Sequence, residues 1–586
     1  MSPTTGPRIP FPEGTEEYGY YENLQNVVRS RFPDMKPRIL VITDIEQDYD
    51  DLLAIIFLSE MHRMGAIELA GCVANHHPAD KRAKFLRTTL DCLNLADVPV
   101  AIGTKGASDI SAHAPDLYYG LKNKTFAEHA EQRSTPVYNG EELINFLVDQ
   151  SGKVTKPGEL PKQKLTVLLI SSLQDISEAF DRWKSVPDAP FPKDKFEKFV
   201  SQGGYKLENG QLWPEMGMMN NKFHRQAAKN YTRTLSSPAI NLRSDAWSRE
   251  AAKRARLEGS FFQKLFQLGP IGAHLEWMWL RQEFKFYYDP INDPYMPHLD
   301  VGWYLSTRLG LKKDSELFQQ YVKSIPPFKE IIPLIKVIAY DCCAAVGAVG
   351  DDFMRSFGIL QDPIPEYNKS VHRVFGRAAD DMGGINTEQL AKVMEVFLLG
   401  GLLATKDHAE ELLKTKNDKT GLFEVEIEHT PMTYANTVAD WTNDKDQPLI
   451  VEAKKCWKEL QGLKDKQADA QDNLELARVM QRSAEPRDKV TLAEKALNEV
   501  VTKQTKAEIA LNFAIERIQE DSARDNGPRK LKGKYNAKTP ELFGAPYELL
   551  YRKDVLAIER IGSRTAVLEL GMAYSSISIN IRSWST

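Results

Sequence analysis

Along the first 360 residues, short apolar runs recur, and amphipathic or polar stretches separate them. RILVIT (38–43), ELAGCVA (68–74), VPVAI (98–102) and LTVLLIS (165–171) are aliphatic, β-branched and short, the pattern of strands buried on both faces. KFVS (197–200), PAINL (238–242) and PLIKVIAY (333–340) are further strand candidates. Helical periodicity occupies 81–94, 174–184 and 246–257, and the wholly apolar run Leu52–Leu58 reads as a buried helix. Strands alternating with helices predict an α/β domain with a mostly parallel, Rossmann-related central sheet flanked by helices, here assigned to 35–415. Residues 1–34, Pro-rich and aromatic, predict an arm lying on that body.

Beyond 415 the pattern changes. In 416–450, LFEVEIEH (422–429) sets Phe423, Val425 and Ile427 against three glutamates, a half-exposed strand. In 451–521, Cys456, Leu460, Leu463, Gln467, Ala470, Leu474 and Ala477 are spaced four and three apart, and a second such series follows Pro486. Two helices, 452–482 and 489–521, are expected to form an antiparallel hairpin with a narrow, Ala-rich coiled-coil seam. The tail, 522–586, opens in the polar segment DSARDNGPRKLKGK and ends in SSISINIRSW, where Ile577, Ile579 and Ile581 alternate with polar residues. That strand is expected to share one small sheet with 423–427.

Composition narrows the class. A chain of 586 residues exceeds one core, so two or three domains are expected. With 42% hydrophobic and 27% charged residues it reads as water-soluble and globular. A net charge of −5 argues against a general nucleic-acid binder. Five cysteines without CxxC spacing read as reduced thiols, and the expected location is cytoplasmic. The longest uncharged apolar stretch, Val396–Ala404, is too short to span a bilayer, so no membrane partner is expected.

The chemistry concentrates where the first strand ends. Asp44, Glu46, Asp48, Asp50 and Asp51 are five carboxylates within eight residues, between a buried strand and a buried helix. One or two would serve as helix caps; five repel one another unless a cation or ordered donors compensate them. A hard cation, Ca²⁺ or alternatively Mg²⁺, is the expected occupant. In open α/β sheets, ligands bind beyond the carboxyl ends of the strands, where this loop falls.

From these residues onward the chain resembles the inosine–uridine nucleoside hydrolases. Asp44-Ile-Glu46-Gln-Asp48-Tyr-Asp50-Asp51 is similar to their DxDxxxDD signature after strand one. GCVANHHPADKRAKFLRTTLDCLNLADVPVAIG is similar to the Gly/Asn turn, long helix and following strand, with Asn75 on a ribose-contacting Asn. LTVLLISSLQDISEAF resembles the strand ending in GPLTNIA, where a backbone carbonyl joins the metal; Ile170 is the implied position. SQGGY (201–205) and ENGQLWPEMGMMNNKFHRQAAK resemble a strand end and a loop with ribose-contacting Asn residues, implying Asn220 and, more loosely, Asn209. IAYDCCAAVGAV resembles HDPLAVA, making Asp341 the distal metal carboxylate.

The resemblance covers roughly 35 to 360 and implies a Ca²⁺-dependent hydrolase of N-ribosidic bonds acting on a nucleoside or related riboside, in at least a dimer. It implies Glu46, Asp51, Asp341 and the Ile170 carbonyl as metal ligands, with Glu46 also activating water. Asp50 would accept from a ribose hydroxyl, Asn75 and Asn220 would fix the sugar, and Asp44 would orient the loop. Asp48 stands where the family has Gly and receives no role. Glu46 replaces an Asp, Tyr340 replaces the His that resembles a leaving-group acid, and Ser171-Ser172 replaces Gly-Pro. These departures open an alternative: a riboside- or ADP-ribose-binding scaffold without turnover.

Other groups fit poorer roles. Adjacent histidines such as His76-His77 rarely share an ion, even with Asp80 near. His298 and Asp300 read as structural, and Cys342-Cys343 as apolar filler. Trp213 either stacks on a base or simply packs. TDIEQD lacks the Gly-Thr or Gly-Val that would continue a phosphotransferase nucleophile motif.

Overall fold

The computed structural model describes residues 7–31, 35–46, 48–107, 138–154, 161–187, 190–208, 211–262, 264–292, 300–361 and 371–413, with some helical positions between 459 and 507. The strands expected at 423–427 and 577–581, Asn209, His298 and most of the hairpin lie outside the described residues. Of the expected seam, Leu463, Ala470, Leu474 and Ala507 are buried. The chain divides into two compact units, one of 1–113, 117–284 and 305–425, the other of 114–116, 285–304 and 426–586.

The first unit is built on eight parallel strands flanked by helices. β1 (Arg38–Thr43), β2 (Glu68–Ala74), β3 (Val100–Ile102) and β4 (Tyr138–Asn139) run outward in chain order to one edge. β5 (Leu165–Ile170), β6 (Phe196–Gln202), β9 (Ser244–Trp247) and β12 (His372–Phe375) run from β1 to the other. The direction of winding reverses between β1 and β5, where Thr43 lies beside Ile170. Such a switch point opens a crevice at the carboxyl ends of the strands. This is an α/β fold with a parallel central sheet flanked by helices, the class expected.

β1 and β5 are buried at every position, which is why their sequences read as continuous apolar runs. The helix Asp50–Arg63 is buried on all sides from Asp50 to Met61, packed against the helices Tyr340–Val349 and Thr387–Leu413. Glycine permits the second contact. A Cβ on Gly401 would lie 3.2 Å from the Glu60 Cβ and 3.3 Å from Ile56 Cγ2. Val396–Ala404 is thus the middle of the helix Thr387–Leu413, buried at Val396, Phe397, Leu398 and Leu402, and no helix among the described residues is long and apolar enough to cross a membrane. In the N-terminal segment, Glu16–Ser30 is a helix capped by the Thr15 hydroxyl, burying Tyr21, Leu24 and Val27.

Three sequence expectations are corrected. PAINL (238–242) is a turn, with Asn241 at φ 47°, and the strand lies just beyond it at Ser244–Trp247. The helix expected over 246–257 is only Arg249–Arg254, because β9 occupies its start. PLIKVIAY keeps a strand only at β11 (Lys336–Ile338), which pairs antiparallel with β10 (Arg256–Glu258) outside the main sheet. β7 (Tyr205–Glu208) and β8 (Gln211–Pro214) form a separate hairpin.

Candidate metal and ribose site

β1 delivers the chain to the switch point, and residues 44–51 turn there from strand into helix. Fully buried Arg82 pins the turn, donating from Nη1 to the carbonyls of Asp44 (2.5 Å) and Ile45 (2.7 Å). The Thr43 hydroxyl accepts from the Ile45 N–H (3.2 Å) and donates to the Asp51 carboxylate. Asp50 N–H donates to Asp48 Oδ1 (3.4 Å). Glu46 adopts φ 73°, a left-handed conformation that costs a side-chain-bearing residue about 1–2 kcal/mol.

Asp48, Asp50, Asp51 and Asp341 each offer a carboxylate oxygen, all within 4.8 Å of one another. Asp50 and Asp51 sit in the first turn of Asp50–Arg63, Asp341 in the first turn of Tyr340–Val349. The two helices therefore bring their positive ends to one place. Each end offsets roughly 0.3–2 kcal/mol of negative charge. Two carboxylates about 4 Å apart repel by about 4 kcal/mol at an effective dielectric near 20. Repulsion wins.

Proton affinity rises accordingly. Burial first, then Asp48, Asp51 and Asp44, push Asp50 well above the usual carboxylate range. Burial first, then Asp44 and Asp48, do so for Asp51; burial, Asp50 and Asp51 for Asp341. Among the described residues none of the four makes an ion pair. An all-oxygen, all-carboxylate set short of positive charge fits a hard divalent cation and could hold one.

The remaining expected residues are placed as follows. Glu46 is fully buried but outside that set: its Oε2 lies 3.1 Å from His274 Nε2, and its Oε1 has no hydrogen-bond partner among the described residues. Burial raises its proton affinity, which His274 partly offsets. Asp44 is buried beside the cluster, its carboxyl raised to about 7 by burial against the opposing pull of Arg82. Ile170 ends β5 beside Thr43. Asn75 follows β2, its N–H bonded to the Thr43 carbonyl (2.9 Å). Asn220 is buried, its Nδ2 donating to Gln202 Oε1 (2.8 Å) at the end of β6. Trp213 is half-buried on the hairpin strand β8. Tyr340 begins the Asp341 helix, its hydroxyl pushed up to about 12, chiefly by burial, with Arg308 opposing.

Four participants escaped the sequence reading. Asp48 was visible in the acidic run but set aside against a family glycine. His274 is 228 residues from Glu46 and carries no local signal. Arg82 and Asp175, whose Oδ2 accepts from Asn75 Nδ2 (2.7 Å), lie on ordinary amphipathic helices, where a charged residue reads as solvated surface.

No protein-family model matches the chain, and no curated protein matches it by sequence. Solved structures do. The type III effector protein XopQ, determined in complex with adenosine diphosphate ribose, is 18% identical, with a TM-score of 0.50 over 66% of this chain and 99% of its own. Another effector protein is 19% identical (TM-score 0.49; 66% of this chain, 98% of its own). An inosine–guanosine nucleoside hydrolase is 11% identical (TM-score 0.37; 62% of this chain, 98% of its own). At 18% identity the XopQ likeness speaks for the fold.

Proposed function

We propose that the chain binds a nucleoside or related riboside through a divalent cation, Ca²⁺ by preference, and hydrolyses its N-ribosidic bond. The observation that carries this is the four-carboxylate cluster at the switch point, which has no ion-pair partner among the described residues. A divalent ion bound there supplies Lewis acidity and orients vicinal hydroxyls. Asp48, Asp51 and Asp341, with the Ile170 carbonyl, would hold it. Asp50 accepts a hydrogen bond from a ribose hydroxyl, and Asn75 and Asn220 hold the sugar. Glu46, steadied at Oε2 by His274, keeps Oε1 to take a proton from the attacking water. Trp213 stacks on the leaving base, which departs with a proton as C1′ gains the hydroxyl.

A second reading, ADP-ribose binding without turnover, draws on Tyr340. A hydroxyl pushed up to about 12 is a weak acid for a departing base. It also draws on XopQ, whose structure holds adenosine diphosphate ribose on the same fold. Ribose release from inosine, uridine, nicotinamide riboside and NAD, beside calorimetry with ADP-ribose, decides between them. Release in the presence of Ca²⁺ supports hydrolysis. ADP-ribose binding without release supports the second reading, and failure of both overturns the pocket.

A further inference from the structure

Resting on that riboside reading, we infer that Asp175 is a positioning residue for the pocket, fixing the Asn75 amide so that its carbonyl oxygen is the group offered to the ligand.

Asn75 is fully buried. Its Nδ2 donates to the Ser172 carbonyl (3.0 Å) and to Asp175 Oδ2 (2.7 Å). Both partners only accept, so the amino group must face them and Oδ1 must face the other way. Oδ1 is buried and has no hydrogen-bond partner among the described residues. A buried acceptor left open in this way awaits a donor.

Asp175 is itself held. Its Oδ1 accepts from Thr104 N–H (2.8 Å) and its Oδ2 from the Thr104 hydroxyl (2.8 Å). Gly103 makes room for it: a Cβ there would lie 2.7 Å from Asp175 Oδ1 and 2.8 Å from the Asn75 Cβ. The segments following β2, β3 and β5 thus converge to set one amide. Thr43 ties this amide to the metal loop, its carbonyl accepting from Asn75 N–H (2.9 Å) and its hydroxyl donating to Asp51, and an acceptor fixed there selects a ligand that offers a hydroxyl donor.

The isosteric change Asp175→Asn exposes the device. Oxygen must stay against Thr104 N–H, which puts an amino group where Oδ2 stood, facing the amino group of Asn75. Asn75 then cannot satisfy both neighbours: unflipped, its amino group meets another amino group, and flipped, its oxygen meets the Ser172 carbonyl, so the amide is no longer held in one orientation. The test is calorimetry with ADP-ribose and with inosine in saturating Ca²⁺, on wild type, N75A, D175N and the double variant. N75A and D175N should each weaken binding about tenfold or more. The double variant should bind no more weakly than N75A alone, and Ca²⁺ affinity should not change.

Additive losses, or a D175N chain that binds like wild type while N75A does not, overturn the role of Asp175. A wild type that binds neither probe, or an N75A chain with wild-type affinity, overturns the ribose pocket itself. Should D175N lose Ca²⁺ binding, Thr104→Val removes one donor from Asp175 and carries the same cycle. Non-additivity with N75A then supports the inference, and additivity overturns it.

Discussion

The same parallel sheet buries two groups of charge, and they are built on opposite principles. At β6, β9 and β12, fully buried Asp245 accepts from Arg373 Nε (2.6 Å) and Nη2 (2.7 Å) and from Lys198 Nζ (2.9 Å). Arg373 also reaches Asp351 (2.8 Å), and Lys198 the Gly347 carbonyl (2.9 Å). Burial alone would raise Asp245, yet Lys198 and Arg373 outweigh it and hold the carboxyl below its usual range. At the switch point four carboxylates meet with no such ion pairs among the described residues, and every shifted carboxyl goes up. One group neutralises itself and serves the fold. The other is left short of positive charge, the signature of a place where something binds.

That contrast breaks most sharply under truncation. Asp51→Ala should abolish Ca²⁺ binding in calorimetry while leaving the metal-free chain at least as stable, since it relieves repulsion. Unchanged Ca²⁺ affinity would remove Asp51 from the site. Asp245→Ala should do the reverse. It strands Lys198 and Arg373 in a buried setting and should cost about 3–5 kcal/mol in denaturant unfolding, with Ca²⁺ affinity intact in the folded fraction.

Stability against pH sharpens the same contrast, because the two groups carry opposite signs. Asp245 is depressed in the folded state, so its contribution is present above the ordinary value of 3.8 and lost as pH falls below it. Asp44 is raised from 3.8 to about 7, so in a chelated sample its share of stability is present at low pH and lost as pH climbs between those values. The chelated chain should therefore lose melting temperature from about pH 4 to 7, and added Ca²⁺ should reverse the loss. A chelated chain whose melting temperature rises across that interval would show the acids to be compensated.

How far these regions could be read from sequence follows from their physics. β1 and β2 were legible to the residue because strands buried on both faces are unbroken apolar runs between polar turns. β9 was not. Its sequence, SDAW, places Ser244 and Asp245 in the interior, where ion pairing replaces hydrophobicity, and the eye settles on the neighbouring apolar PAINL. The acidic loop was legible because its charge density has no capping explanation. Its wiring was not, since Thr43, Arg82, Asp175 and His274 act through contacts that only the fold brings together.

A smaller effect is expected at Tyr340, which stands between Asp50 and Arg308 in electrostatic terms. If its ring closes the pocket, Tyr340→Phe keeps most riboside turnover and Tyr340→Ala loses it. If its hydroxyl protonates the leaving base, Phe already costs about 10²-fold in kcat. With its hydroxyl pushed up to about 12, the first outcome is expected.

An effect on turnover rather than on Ca²⁺ affinity separates Glu46 from its neighbours. Glu46 belongs to the acidic run in sequence, yet in the structure its carboxylate faces His274 and the four-carboxylate set forms without it. Glu46→Gln preserves shape and an oxygen for His274 while deleting one negative charge near Asp48. If Glu46 handles the water proton, the variant should lose turnover by about 10²-fold or more while Ca²⁺ affinity changes less than about tenfold. A loss of Ca²⁺ affinity as complete as that expected for Asp51→Ala would make Glu46 a ligand in the working state. His274 would then have to release Glu46 when the ion binds, and H274A would tighten Ca²⁺ binding rather than weaken it.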